Sequence, residues 1–170
     1  MKPKIALLSA LLLLAVGVQA QIAIGKDNVE GSALLDFETA GNTRGIILPA
    51  VTALPATPEN GTFVYDTVDH KVKVYADNDW VELSGAGTNA QVDMNQLNAA
   101  TDEGEGTVIG DESTAPEGVL VLESPDKALV LPKIASPHLN VASPYPGMMC
   151  YDTDTQSLAV FNGTKWYYWK

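Results

Sequence analysis

The sequence has a single cysteine, Cys150, so no intrachain disulfide can form. Small exported domains commonly rely on such cross-links, and this chain must hold its fold by packing instead. Histidine is nearly as scarce, with only His70 and His138. Neither stands in a nucleophile motif of the kind hydrolysis requires, so the chain is read as non-enzymatic, with no catalytic residue and no cofactor. Long apolar runs are also missing, apart from residues 5–18, which fall short of the roughly 20 residues of a spanning helix. Lys2 and Lys4 precede that run and Val18-Gln19-Ala20 follows it. This is the plan of a cleavable signal peptide, residues 1–20, and no membrane span is expected after cleavage. The absence of a cysteine near the cut argues against a lipid anchor.

Positive charge is the other shortage. The formal net charge is −11. Removing residues 1–20 takes two lysines with it and leaves 8 basic against 21 acidic side chains, a net −13. Such a surface repels nucleic-acid phosphates and anionic lipid. It suits a protein of the periplasm, the outer-membrane surface or the extracellular space.

What the sequence does contain is a duplication. Gly61, Tyr65-Asp66-Thr67, Val72, Val74, Tyr75 and Trp80 recur 86 positions later as Gly147, Tyr151-Asp152-Thr153, Leu158, Val160, Phe161 and Trp166. A constant offset over a whole stretch marks an internal repeat. Within each copy, an extended run, a short polar turn and an alternating Lys-Val-Lys-Val-Tyr-type run precede a third extended run that starts at the tryptophan. Asn162-Gly163 between the last two runs of the second copy is a hairpin signal, read here as the two central residues of the turn. Each copy is therefore expected to form a three-stranded antiparallel meander. Upstream, residues 45–49 (Gly-Ile-Ile-Leu-Pro) correspond to residues 128–132 (Ala-Leu-Val-Leu-Pro) with an offset of 83, so the proline-containing connection is three residues longer in the second copy. Insertions belong in loops.

The fold class that follows is all-β. It has two related antiparallel modules, residues 21–84 and 118–170, joined by an acidic, Gly-rich linker, residues 85–117. The stretch from Ser84 to Glu117 has no Lys, Arg or aromatic residue and seven carboxylates, the composition of a solvated connector. Within it, residues 92–99 suit one or two helical turns. Val108-Ile109 would open the second module as residues 22–24 open the first. A module of about 60 residues is marginal as an isolated core, so the two must pack on each other or on further chains.

Several residue groups invite a functional reading. Tyr65, Trp80, Tyr151 and Trp166 are assigned to the module cores, since each buries a large apolar area. Tyr167, Tyr168 and Trp169 are consecutive on a strand and must point to both faces, so at least one is expected to pack on another module or chain. These three are the candidate interaction residues. A sugar-binding platform of exposed aromatics is the alternative. Asp77-Asn78-Asp79 and Asp152-Thr153-Asp154 have carboxylates two apart, as a calcium loop begins, but lack the glycine and closing glutamate of an EF-hand. They are read as turn carboxylates, and no metal site is assigned. Asp66-Thr67-Val68 resembles a short O-glycosylation acceptor, which makes Thr67 a candidate site. Turn formation by Asp and Thr is the simpler explanation. Cys150, which corresponds to Val64, is read as a buried inert thiol.

Taken together, Leu48-Pro49, Gly61, Tyr65-Asp66-Thr67, Tyr75 and Trp80, with their counterparts, resemble a module of secreted proteins of gliding and related Gram-negative bacteria. A similar pattern occurs in the fibre-like tail proteins of bacteriophages. The resemblance implies an extracellular β-structure assembled as a trimer, with roles in adhesion or appendage building. The first copy departs from it at residues 76–79, where Asn-Gly is missing. The function expected is that of an exported structural or adhesion component acting through protein–protein contacts. Its partner is a further copy of itself or another surface protein. A carbohydrate-binding module with glycans as ligand, or an accessory subunit of an outer-membrane export or motility complex, are the alternatives.

Overall fold

A computed structural model describes residues 21–95, 106–110 and 118–170. The expected signal peptide and much of the acidic segment lie outside these residues. The described chain is almost entirely β, with one short helix. In order, the elements are β1 (Ile22–Ile24), β2 (Ala33–Phe37), β3 (Ile46–Ile47), β4 (Ala50–Val51), β5 (Phe63–Asp66), β6 (Lys71–Ala76), β7 (Asp79–Glu82), β8 (Thr107–Ile109), β9 (Leu120–Leu122), β10 (Ala128–Leu129), β11 (Lys133–Ile134), α1 (Pro137–Asn140), β12 (Met148–Asp152), β13 (Ser157–Phe161) and β14 (Trp166–Trp169).

Both meanders form. β5-β6-β7 and β12-β13-β14 are antiparallel, with Tyr75 opposite Trp80 and Phe161 opposite Trp166. The sheets are mixed rather than purely antiparallel, because each meander takes a parallel strand on its outer edge. Ala50 lies beside Tyr65 in the first copy, and Lys133 beside Tyr151 in the second. Tyr65 N–H donates to Pro49 O and Tyr151 N–H to Pro132 O. The 83-residue offset of the leading strands and the 86-residue offset of the meanders therefore meet in equivalent ladders. The three extra residues between them fall at α1, whose Pro137 sits in the first turn. β1 pairs parallel with β2, and β8 with β9 in the same register, Ile22 with Leu35 and Thr107 with Leu120.

The turn between the last two strands differs between copies. Asp77 and Asn78 both have positive φ, 53° and 63°, the requirement of a type I′ turn, which Asp and Asn tolerate. In the second copy Asn162 N–H donates to Lys165 O. The central residues are thus Gly163 and Thr164, one position later than the sequence indicates, and Gly163 alone takes positive φ, at 90°. Asn162 instead turns its Oδ1 to the N–H groups of Thr164 and Lys165.

Neither copy closes on itself. β3 of the first copy lies antiparallel on β12 of the second, Ile47 beside Met148. β10 of the second lies parallel on β2 of the first, Leu129 beside Leu35. The principal core is accordingly shared, with Leu48, Tyr65 and Val72 packed with Met149 and Val160. A smaller cluster of Ile134, Cys150 and Ala159 lies under Trp166. Exchange of strands solves the size problem of a short module by merging two inadequate cores into one.

Candidate functional site

The repeated Tyr-Asp-Thr triplets are turn anchors. Asp66 and Asp152 are buried at the ends of β5 and β12. Each accepts the N–H two residues on, Val68 to Asp66 Oδ1 at 2.9 Å and Asp154 to Asp152 Oδ1 at 3.0 Å. The chain then reverses through His70 and Gln156, at φ 59° and 54°. Burial pushes the Asp66 carboxyl up. The Lys73 ammonium at 2.8 Å and the turn N–H outweigh it and hold the carboxyl below the usual aspartate range. Asp152 has no such cation, because Ala159 stands where Lys73 stands in the first copy. Burial raises it too, but the Thr155 hydroxyl and the N–H groups of Asp154 and Ser136 bring it below the usual range.

These carboxylates are therefore engaged in turn structure, and Asp154 takes the Ser136 hydroxyl at 2.6 Å. Asp79 accepts the Trp80 N–H. Among the described residues, no cluster of three metal-ligating side chains occurs. Thr67 is buried and its hydroxyl donates to Val51 O at 2.8 Å, so a sugar on it would have to be added before folding. Burial, followed by the Asp152 charge, pushes the Cys150 thiol up to about 12, and the group is fully enclosed.

Of the residues assigned to the module cores, Tyr65 is completely buried, and its hydroxyl donates to Thr88 O at 2.9 Å. Trp80, Tyr151 and Trp166 are half-buried, with Trp80 edge-on to Tyr75 and Trp166 tilted on Phe161. On β14 the aromatics divide between faces. Tyr167 packs against the shared core, with the Lys165 ammonium 5.1 Å from its ring centre. Tyr168 is exposed and its hydroxyl lies 3.2 Å from His138 Nδ1. Trp169 is 44% exposed, yet its indole N–H donates to Leu83 O of the other module at 2.7 Å.

The described start of the acidic segment is held between the modules. Gly87 N–H donates to His70 O, Thr88 N–H to Asn162 O, and Asn162 Nδ2 to Gly85 O. Val92 is buried in the shared core. A Cβ on Gly87 would lie 1.7 Å from Asn162 O, so only glycine permits this approach. Charge and glycine content alone did not distinguish this strap from a solvated connector. The signal that could have done so is the Gly85-x-Gly87 spacing directly after β7.

Several large apolar side chains are exposed among the described residues. They include Ile22, Ile24, Ile47, Val81, Val119, Leu120 and Leu129, and most lie on short strands at sheet edges. Unpaired edges of this kind invite pairing with another chain. No helix among the described residues is long and apolar enough to cross a membrane.

Comparison with known proteins agrees with the repeat. The family described as phage tail like trimerisation region matches residues 23–105 and again residues 108–170. The two matches meet inside the acidic segment. No curated protein and no solved structure matches the chain. With both copies covered, the chain belongs to the phage tail-like trimerisation region family, structural and oligomeric in character.

Proposed function

We propose that this protein is an exported structural subunit that self-associates as a trimer and acts at the cell surface, in adhesion or in building an appendage. The observation that carries this reading is the double match to a trimerisation region, one match for each strand-exchanged module. The open edges support it, since a β-protein with unpaired edges must cover or protect them. The acidic surface and the leader-like residues 1–20 support export. Sedimentation velocity on the purified chain tests the proposal. A single species of three chain masses at micromolar concentration is expected. A monomer that captures a specific glycan on an array would instead favour the carbohydrate-binding alternative.

A further inference from the structure

Within one chain each module lends its Leu-Pro strand to the other, but the two loans are not the same. The first module's strand goes antiparallel onto the start of the second meander. The second module's strand goes parallel onto β2. Each receiving place therefore has a counterpart in the other copy that stands empty among the described residues.

Burial records the difference. Gly147, Met148 and Met149, covered by β3, are buried, whereas Gly61 is exposed and Thr62 and Phe63 are half-buried. Leu34 and Leu35 on β2, covered by β10, are 3% exposed. Their counterparts are Val119, just before β9, and Leu120, its first residue, which are 66% and 45% exposed.

The backbone valences agree. Ala128 and Val130 turn their N–H groups to Ser32 O and Leu35 O. Alternation along a strand then points those of Leu129 and Leu131 to the open side. The first-module counterpart of Leu131 is Leu48, whose N–H donates to Gly147 O at 3.1 Å, and the counterpart of Gly147 is Gly61. Flanking β9, Val119 O accepts from the Thr107 N–H and the Glu123 N–H donates to Ile109 O, so alternation along the strand points the Leu120 carbonyl outward. Its match is Ile47, whose N–H faces away from β12.

We infer that a second copy of this chain fills both vacancies. Residues 129–131 of one chain pair antiparallel with residues 61–63 of the next, while residues 45–47 of that next chain pair parallel with residues 118–120 of the first. The inference rests on the self-association proposed above and specifies its surfaces. The second module of each chain meets the first module of its neighbour through the relation that joins the modules inside one chain. Such a head-to-tail contact closes into a ring when its rotation permits, and three chains satisfy a trimerisation region.

In this register Val130 lies opposite Thr62 in a non-hydrogen-bonded pair, with Cα atoms about 4.5 Å apart, within disulfide range. The test is the full chain carrying both Thr62→Cys and Val130→Cys, oxidised and run on a non-reducing gel. Buried Cys150 stays silent. Covalent dimers and trimers that collapse to monomer on reduction are expected. A second variant, Leu120→Lys, alters a side chain that the single chain leaves exposed. It is expected to convert the assembly to folded monomers. If the unaltered chain is a trimer, yet the double-cysteine variant gives no interchain bond and Leu120→Lys remains trimeric, the pairing is wrong while self-association stands. An unaltered chain that is monomeric overturns both.

Discussion

Asp66 and Asp152 occupy matched positions in the two meanders and are held as carboxylates by different partners. Asp66 shares a buried ammonium with Asp69, at 2.8 and 2.6 Å from Lys73 Nζ. Asp66→Ala would leave that cation half-paired in the interior. Asp69 stays 2.6 Å from that ammonium, so the change should cost about 1.5–3 kcal/mol in a urea titration, the range for a lost hydrogen bond to a charged group. Asp152→Ala removes no charge partner, but it strands the N–H groups of Ser136 and Asp154, and should cost about 2–4 kcal/mol. Both carboxyls lie below their ordinary value in the fold. The stability they contribute is therefore complete above the unfolded aspartate value of about 4 and is lost as pH falls through the lower, folded values. Thermal melts should hold steady from pH 7 to about 5 and drop below pH 4. A melting temperature that rises on acidification through that window would contradict this. The Asp-Thr pair was legible in the sequence as a turn former. The cation that distinguishes Asp66 from Asp152 was not, because it depends on which face of β6 is covered.

The meander strands were legible because each alternates and ends at a turn signal. Two features at this scale were not. The Leu-Pro strands read correctly as extended, but nothing local shows that β3 and β10 leave their own copies, since a two-residue strand has no register of its own. The strap at residues 85–94 was hidden by its polarity. Its backbone groups bond to His70, to Asn162 and to the Tyr65 hydroxyl, which composition does not reveal. Gly87→Ala should cost roughly 2 kcal/mol or more, because the new methyl group meets a carbonyl that cannot withdraw without breaking the Thr88–Asn162 bond. Trp169→Ala removes the indole bond to Leu83 O that ties β14 to the first module. A loss of about 1–3 kcal/mol by chemical denaturation is expected, in line with a truncated, partly buried aromatic. Unchanged stability in both variants would mean that strap and strand do not tie the modules together.

At the scale of the whole molecule, two copies of one short plan share a core and leave complementary edges unfilled among the described residues. The duplication was readable from spacing alone, and the all-β class from alternation and turn residues. The open edges were not, because exposure of Val119 and Leu120 against burial of Leu34 and Leu35 is a property of the folded pair. Further copies of the chain are proposed to complete those edges. Hydrogen exchange on the purified assembly tests this most directly, since protection follows edge pairing and not mass. Peptides spanning residues 118–122 and 61–63 are expected to exchange as slowly as their covered counterparts at residues 33–37 and 147–149. Fast exchange in the first pair beside slow exchange in the second, in material of three chain masses, would contradict it.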